Sequence, residues 1–167
     1  MNDYLRLAIG YMDGDGTAEL NAAVKCKDFC GNSSAWFSIP QLDEFSDLLL
    51  AYPLPGDGYP TLRGGFWSRT LPGEIDQLHV SLKVYPVGLR GAVGCLVTLR
   101  APLNDGDKSK VASLVEVELR TSYQALADFS RELKGLLRAE PSEAILRGVE
   151  IYLSIFTGFY AGYPRSR

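Results

Sequence analysis

From Gln77 to Tyr85 apolar and polar residues alternate, with Leu78, Val80, Leu82 and Val84 set against Gln77, His79, Ser81, Lys83 and Tyr85. Successive side chains of a strand point to opposite faces, so the stretch reads as a half-buried strand. The pattern returns in Leu89 to Arg100, where Leu89, Val93, Cys95, Val97 and Leu99 share a face. It returns again from Lys110 to Arg120, with Val111, Ser113, Val115, Val117 and Leu119 on one side. Pro86 and Gly88, then Asn104-Asp105-Gly106-Asp107, mark tight connections, which predicts an antiparallel meander with one apolar and one mixed face. Gly91 and Gly94 fall in its middle strand, where glycine signals a bulge or a close approach, and a bulge is the expectation. On the mixed face Glu116 and Glu118 are expected to meet Arg100 and Arg120.

Toward the amino terminus, Leu5, Leu7, Ile9 and Tyr11 share one face of a first strand, and Ala18, Leu20, Ala22, Val24 and Cys26 share one face of the returning strand. Asp13-Gly14-Asp15-Gly16 joins them as a turn; a calcium loop there would need a glutamate where Val24 stands. Phe29 to Ser34 reads as a loop. Ser38 and Gln41 form a capping box that opens a helix near Ile39, with Leu42, Phe45, Leu49 and Tyr52 as its apolar stripe and Pro53 and Pro55 at its end. Thr121 and Gln124 form a second box opening a helix to about Arg138, with Leu126, Phe129, Leu133, Leu136 and Leu137 buried. Pro141 to Arg147 reads as the start of a short helix, and 149–156 alternates like a last strand, with a short apolar helix as its alternative. The sum is an α+β fold: one domain over 1–163, a mainly antiparallel sheet of about six strands, two main helices on one apolar face, and a flexible tail at 164–167.

Composition narrows the function classes. A chain of 167 residues with 46% hydrophobic content can bury a core of its own. Seventeen basic against twenty acidic residues, with no basic run, leave no nucleic-acid footprint. No apolar run reaches the length of a membrane helix and no signal peptide is read, so a cytoplasmic protein is expected. The three cysteines give no disulfide framework. A zinc site would need Cys26, Cys30, Cys95 and His79 together, yet Cys95 and His79 alternate onto opposite faces. The same alternation argues against a Cys-His dyad, and no Gly-rich phosphate loop or nucleophile motif occurs. No catalytic residue, metal or cofactor is expected, although an enzyme with convergent groups from distant positions stays open.

Two groups remain as candidate partner-binding residues. Asp43, Glu44 and Asp47 crowd one side of the first helix; they suit a helix amino terminus and a solvated face, and also a basic partner. Tyr59, Phe66 and Trp67 lie in the Pro- and Gly-rich stretch from Tyr52 to Gly73, where aromatics either pin the loop or form a recognition surface. The run 149–160 is too apolar to stay exposed, and docks on the domain or on a second copy as a homodimer.

The order of elements resembles that of small bacterial immunity-type proteins of polymorphic toxin systems. It is carried by the amino-terminal hairpin, Trp36-Phe37, the capped helix Leu42 to Leu49, the meander, and the closing helix from Thr121 to Leu126. The resemblance implies a protein that binds and blocks a toxin domain by surface complementarity, with the acidic helix face and the aromatic loop as contact surfaces. A self-associating structural domain, and a small-molecule binder or enzyme with a pocket under the 52–73 loop, are the competing readings.

Overall fold

The computed structural model describes residues 3–88, 91–104, 106 and 113–149. The amino-terminal hairpin forms as the alternation predicts: β1 (Tyr4–Met12) and β2 (Thr17–Cys26) pair antiparallel, with Leu5 opposite Val24 and Leu7 opposite Ala22. Asp15 closes the turn by accepting hydrogen bonds from the Thr17 backbone N–H and hydroxyl. Two corrections follow at once. The register shifts between Ile9 and Tyr11, so Tyr11 leaves the face of Leu5 and Leu7 and pairs with Glu19. The stretch read as a loop from Phe29 to Ser34 is instead the first half of β3 (Phe29–Ser38), which pairs with β2 along its whole length.

The meander exists, but it belongs to a second sheet. β4 (Thr61–Trp67), β5 (Ile75–Val87), β6 (Ala92–Arg100) and β7 (Leu114–Ser122) lie in that order, all antiparallel. Val80, Leu82, Val84, Val93, Cys95, Val97, Leu99 and Leu119 point into the core. The expected bulge in β6 is absent: its pairing with β5 and β7 runs without a shift. Gly94 instead admits the Tyr85 ring, whose edge would lie 3.0 Å from a Cβ placed there. On the mixed face Arg120 pairs with Glu118, whereas Glu116 accepts from the Thr98 hydroxyl.

Each helix has its cap. α1 (Ile39–Leu48) begins at Ser38, whose hydroxyl accepts the Gln41 N–H, and buries Leu42 and Phe45; Leu49 is buried just past its end. Tyr52, expected on that stripe, lies beyond the helix and is 80% exposed, its ring edge-on to Tyr123. α2 (Tyr123–Leu136) is capped one residue later than the predicted box, by Ser122 accepting the Ala125 N–H. Thr121 is buried and donates to the Arg147 carbonyl. The segment read as a short helix after Pro141 is a strand, β8 (Ala144–Arg147), which pairs with β1.

Among the described residues the fold is thus α+β, with eight strands in two sheets of four, β3-β2-β1-β8 and β4-β5-β6-β7, where a single sheet of about six was expected. The sheets face each other and are crossed. Phe37 and Ala35 near one end of β3 lie on Gly64 of β4, while Gly31 near its other end lies on Val115 of β7. One strand of the first sheet therefore spans the second from edge to edge, as in orthogonal packing. Nor do the helices cover one face: α1 touches β3 and β4, α2 touches β8, β7 and β1, so the pair bridges both sheets. Ser130 binds them through a buried hydrogen bond to the Ser46 carbonyl, 2.7 Å long. No helix among the described residues is long and apolar enough to cross a membrane. The run 149–160, apart from Val149, and the tail 164–167 lie outside the described residues.

Candidate functional site

The six residues singled out from the sequence fall in three separate places. Asp43, Glu44 and Asp47 are exposed on α1, but the first and third face Lys134 of α2, which pairs with Asp47 and lies 3.9 Å from Asp43. The Asp47 hydrogen bond, with the field of both carboxylates, raises the pKa of that ammonium. Two thirds of the acidic group thus serves a helix-to-helix ion pair. Tyr59 precedes β4, with its ring 5.2 Å from the Lys83 ammonium and 5.9 Å from Tyr85. Phe66 and Trp67 close the other end of β4, about 20 Å away at the usual strand rise. Tyr59 and Trp67 therefore do not line one pocket beneath the 52–73 segment. Trp67 is half-exposed, and Phe66 stands edge-on over His79 with ring centroids 4.5 Å apart.

His79 is 4% exposed despite its place on the mixed face. Gln77 explains its setting: its amide donates to the Leu103 carbonyl and accepts the Leu103 N–H at 2.7 Å, fixing the orientation of the side chain. His79 Nε2, 2.8 Å from the same Gln77 oxygen, is then the donor, because an amide oxygen can only accept. Burial, and after it the Arg100 charge, lowers the histidine pKa. Cys95 lies in the core, where burial pushes its thiol up to about 12. Cys26 is raised too, by burial and by Asp3, whose carboxylate is 3.6 Å from its sulfur. Tyr85 donates to Glu118, and burial followed by that hydrogen bond pushes its pKa up to about 12. Among the described residues no three His, Cys, Asp or Glu side chains are grouped as a metal site would require.

The outer face of the first sheet assembles something the sequence reading missed. Pairing sets its side chains in rows: Arg6, Ala23 and Asn32; Ala8, Asn21 and Ser34; and, past the bulge, Tyr11, Glu19 and Trp36. The first two rows, with Ala101, Pro102 and Glu143, line an open cleft of about 600 Å³. Small residues such as Ala8 and Ala23 line it, and the side-chain amides of Asn21 and Asn32 make no hydrogen bond to another described residue, which leaves their donors and acceptors unspent. Arg6 and Glu143 pair across its rim at 3.3 Å. In the third row Tyr11 is 59% and Trp36 45% exposed, with ring centroids 6.1 Å apart at 65°. Glu19 lies between them in the pairing and accepts the Ser34 hydroxyl at 2.8 Å. Gly10 at the bulge leaves no room for a side chain: a Cβ would come 2.5 Å from the Asn21 amide nitrogen. Gly10 within an alternating run was the available signal for the shift.

The chain matches no family model, no characterised protein and no solved structure in comparisons with known proteins.

Proposed function

We propose that the chain is a non-enzymatic protein-binding domain, working as immunity-type proteins do by covering a toxin domain. One observation carries this reading: a sheet face presents two large exposed aromatics beside a cleft of unspent amides. Interfaces draw most of their energy from a few Trp, Tyr and Arg side chains ringed by polar groups, and Trp36, Tyr11 and Arg6 stand in that arrangement. The open, small-residue floor suits the relief of another protein better than an enclosed ligand, which would be covered on most of its surface. Cys95, Cys26 and His79 support the same reading, since all three are buried and none of them lines the cleft; Cys30 is exposed on that face one row beyond Asn32.

Affinity capture from a lysate of the source cell tests it, with tagged parent beside Y11A/W36A and D43K/E44K/D47K variants, followed by calorimetry on the purified captured protein. The expected result is one protein enriched by the parent and by the lysine variant, and lost with Y11A/W36A. Equal capture by Y11A/W36A, or nothing above the empty-tag control, overturns the binding surface. The immunity half has its own readout: the captured protein should arrest growth when expressed alone and not when the parent is co-expressed.

A further inference from the structure

The row Tyr11, Glu19 and Trp36 has a chemistry of its own. Ser34 holds the carboxylate by donating to Oε1, while Oε2 receives no hydrogen bond from another described residue and lies over Gly10, whose backbone the Asn21 amide also covers. No described cation pairs with Glu19: of the basic residues on the face, Arg6 lies two rows away and is paired with Glu143, and Lys25 lies three rows away opposite Cys30. Two rings inclined at 65° stand beside this acid. A carboxylate bordered by aromatic faces attracts a cation twice, through its charge and through the ring quadrupoles.

We propose that Glu19, bordered by Tyr11 and Trp36, seats one arginine side chain of a basic protein partner. A guanidinium fits better than an ammonium, because its plane can stack on the Trp36 indole while its edge donates to the carboxylate. The net charge of −3 favours approach of a basic partner as well. The proposal rests on the protein-binding reading and states what that partner presents.

The test is a titration of the isotope-labelled chain with the peptide acetyl-Gly-Arg-Gly-amide, following the Trp36 indole N–H by NMR; W67F assigns the signal. The expected result is a saturable shift with the arginine peptide, a smaller response to its lysine counterpart, and none with the neutral citrulline counterpart. E19Q, which keeps the Ser34 hydrogen bond and an unchanged amide spectrum elsewhere, should bind about tenfold more weakly, the loss of one charge-assisted contact. Equal shifts with citrulline, equal affinity in E19Q, or no saturation overturns the proposal. If tetramethylammonium binds as tightly as the arginine peptide, the seat belongs to a small ammonium ligand and the guanidinium assignment falls. A captured protein lost with Y11A/W36A but retained by E19Q would keep the binding function and remove this inference alone.

Discussion

His79 shows how one residue can be tied down by neighbours that the alternation of its strand does not reveal. The strand places it on the mixed face, and Phe66, Gln77 and the returning Leu103 then cover it. Its pKa is lowered in the fold, by burial first and Arg100 second, below the ordinary 6.5. Between the folded value and 6.5 the unfolded chain binds more protons than the folded one, so stability rises with pH through that window. The contribution is complete above 6.5 and is lost as the medium is acidified toward the folded value. Urea denaturation across pH 5 to 7 should therefore show about a shallow acid-side decline in the parent that H79Q removes. A parent with no slope in that window, or a slope unchanged in H79Q, would contradict the burial of this ring. The thiols offer a parallel measurement: an alkylating reagent should label Cys30, which is exposed, and leave Cys95 intact in the folded chain.

At the scale of elements, what the sequence made legible was what polar caps and large apolar residues write locally. Both helices and the hairpin are found close to where the pattern puts them, because Ser38 and Ser122 cap and Leu, Phe and Val fill the inner positions. The cap of α2 was misread by one residue, and that error can be measured. In a Thr121 box, Gln124 would reach back to the cap; in the structure it bonds forward to Asp128 at 3.2 Å. Thus S122A should cost about 1 kcal/mol and Q124A only about a few tenths, in denaturant unfolding. Comparable losses in the two variants would restore the box. β3 was illegible for a different reason. Its inward positions include Gly31, Ser33 and Ala35, too small to write an apolar alternation, and they are small because the second sheet lies against them. β8 is four residues long, and its run Ala144-Ile145-Leu146 carries no apolar-polar alternation to read.

The division of eight strands into two crossed sheets is a property of the whole molecule, set by which backbones can approach rather than by any local period. The candidate surface was legible only in part for the same reason: Trp36 alternates outward from Phe37 as any strand residue would, but Tyr11 reaches its side only through the shift at Gly10. Where β3 crosses, two glycines make the contact. Gly31 leaves space for Val115, and Gly64 leaves space for Phe37, whose ring carbon would lie 2.5 Å from an added Cβ. Phe37 is 2% exposed and the neighbouring Ala35 4%, so neither can move aside into solvent. An added methyl must then push the sheets apart or force Phe37 off its rotamer, and overpacking of this kind costs about 1 to 3 kcal/mol. G64A should lose that much in urea unfolding, whereas G56A, with open space around it and no positive φ, should stay within about 0.5 kcal/mol of the parent. Because the crossing also carries β3 and its outward Trp36, the same G64A variant should weaken capture of the partner without altering any residue of the surface. A G64A protein as stable as G56A would mean that the sheets yield at this contact, and the expected weakening of partner capture through β3 would go with it.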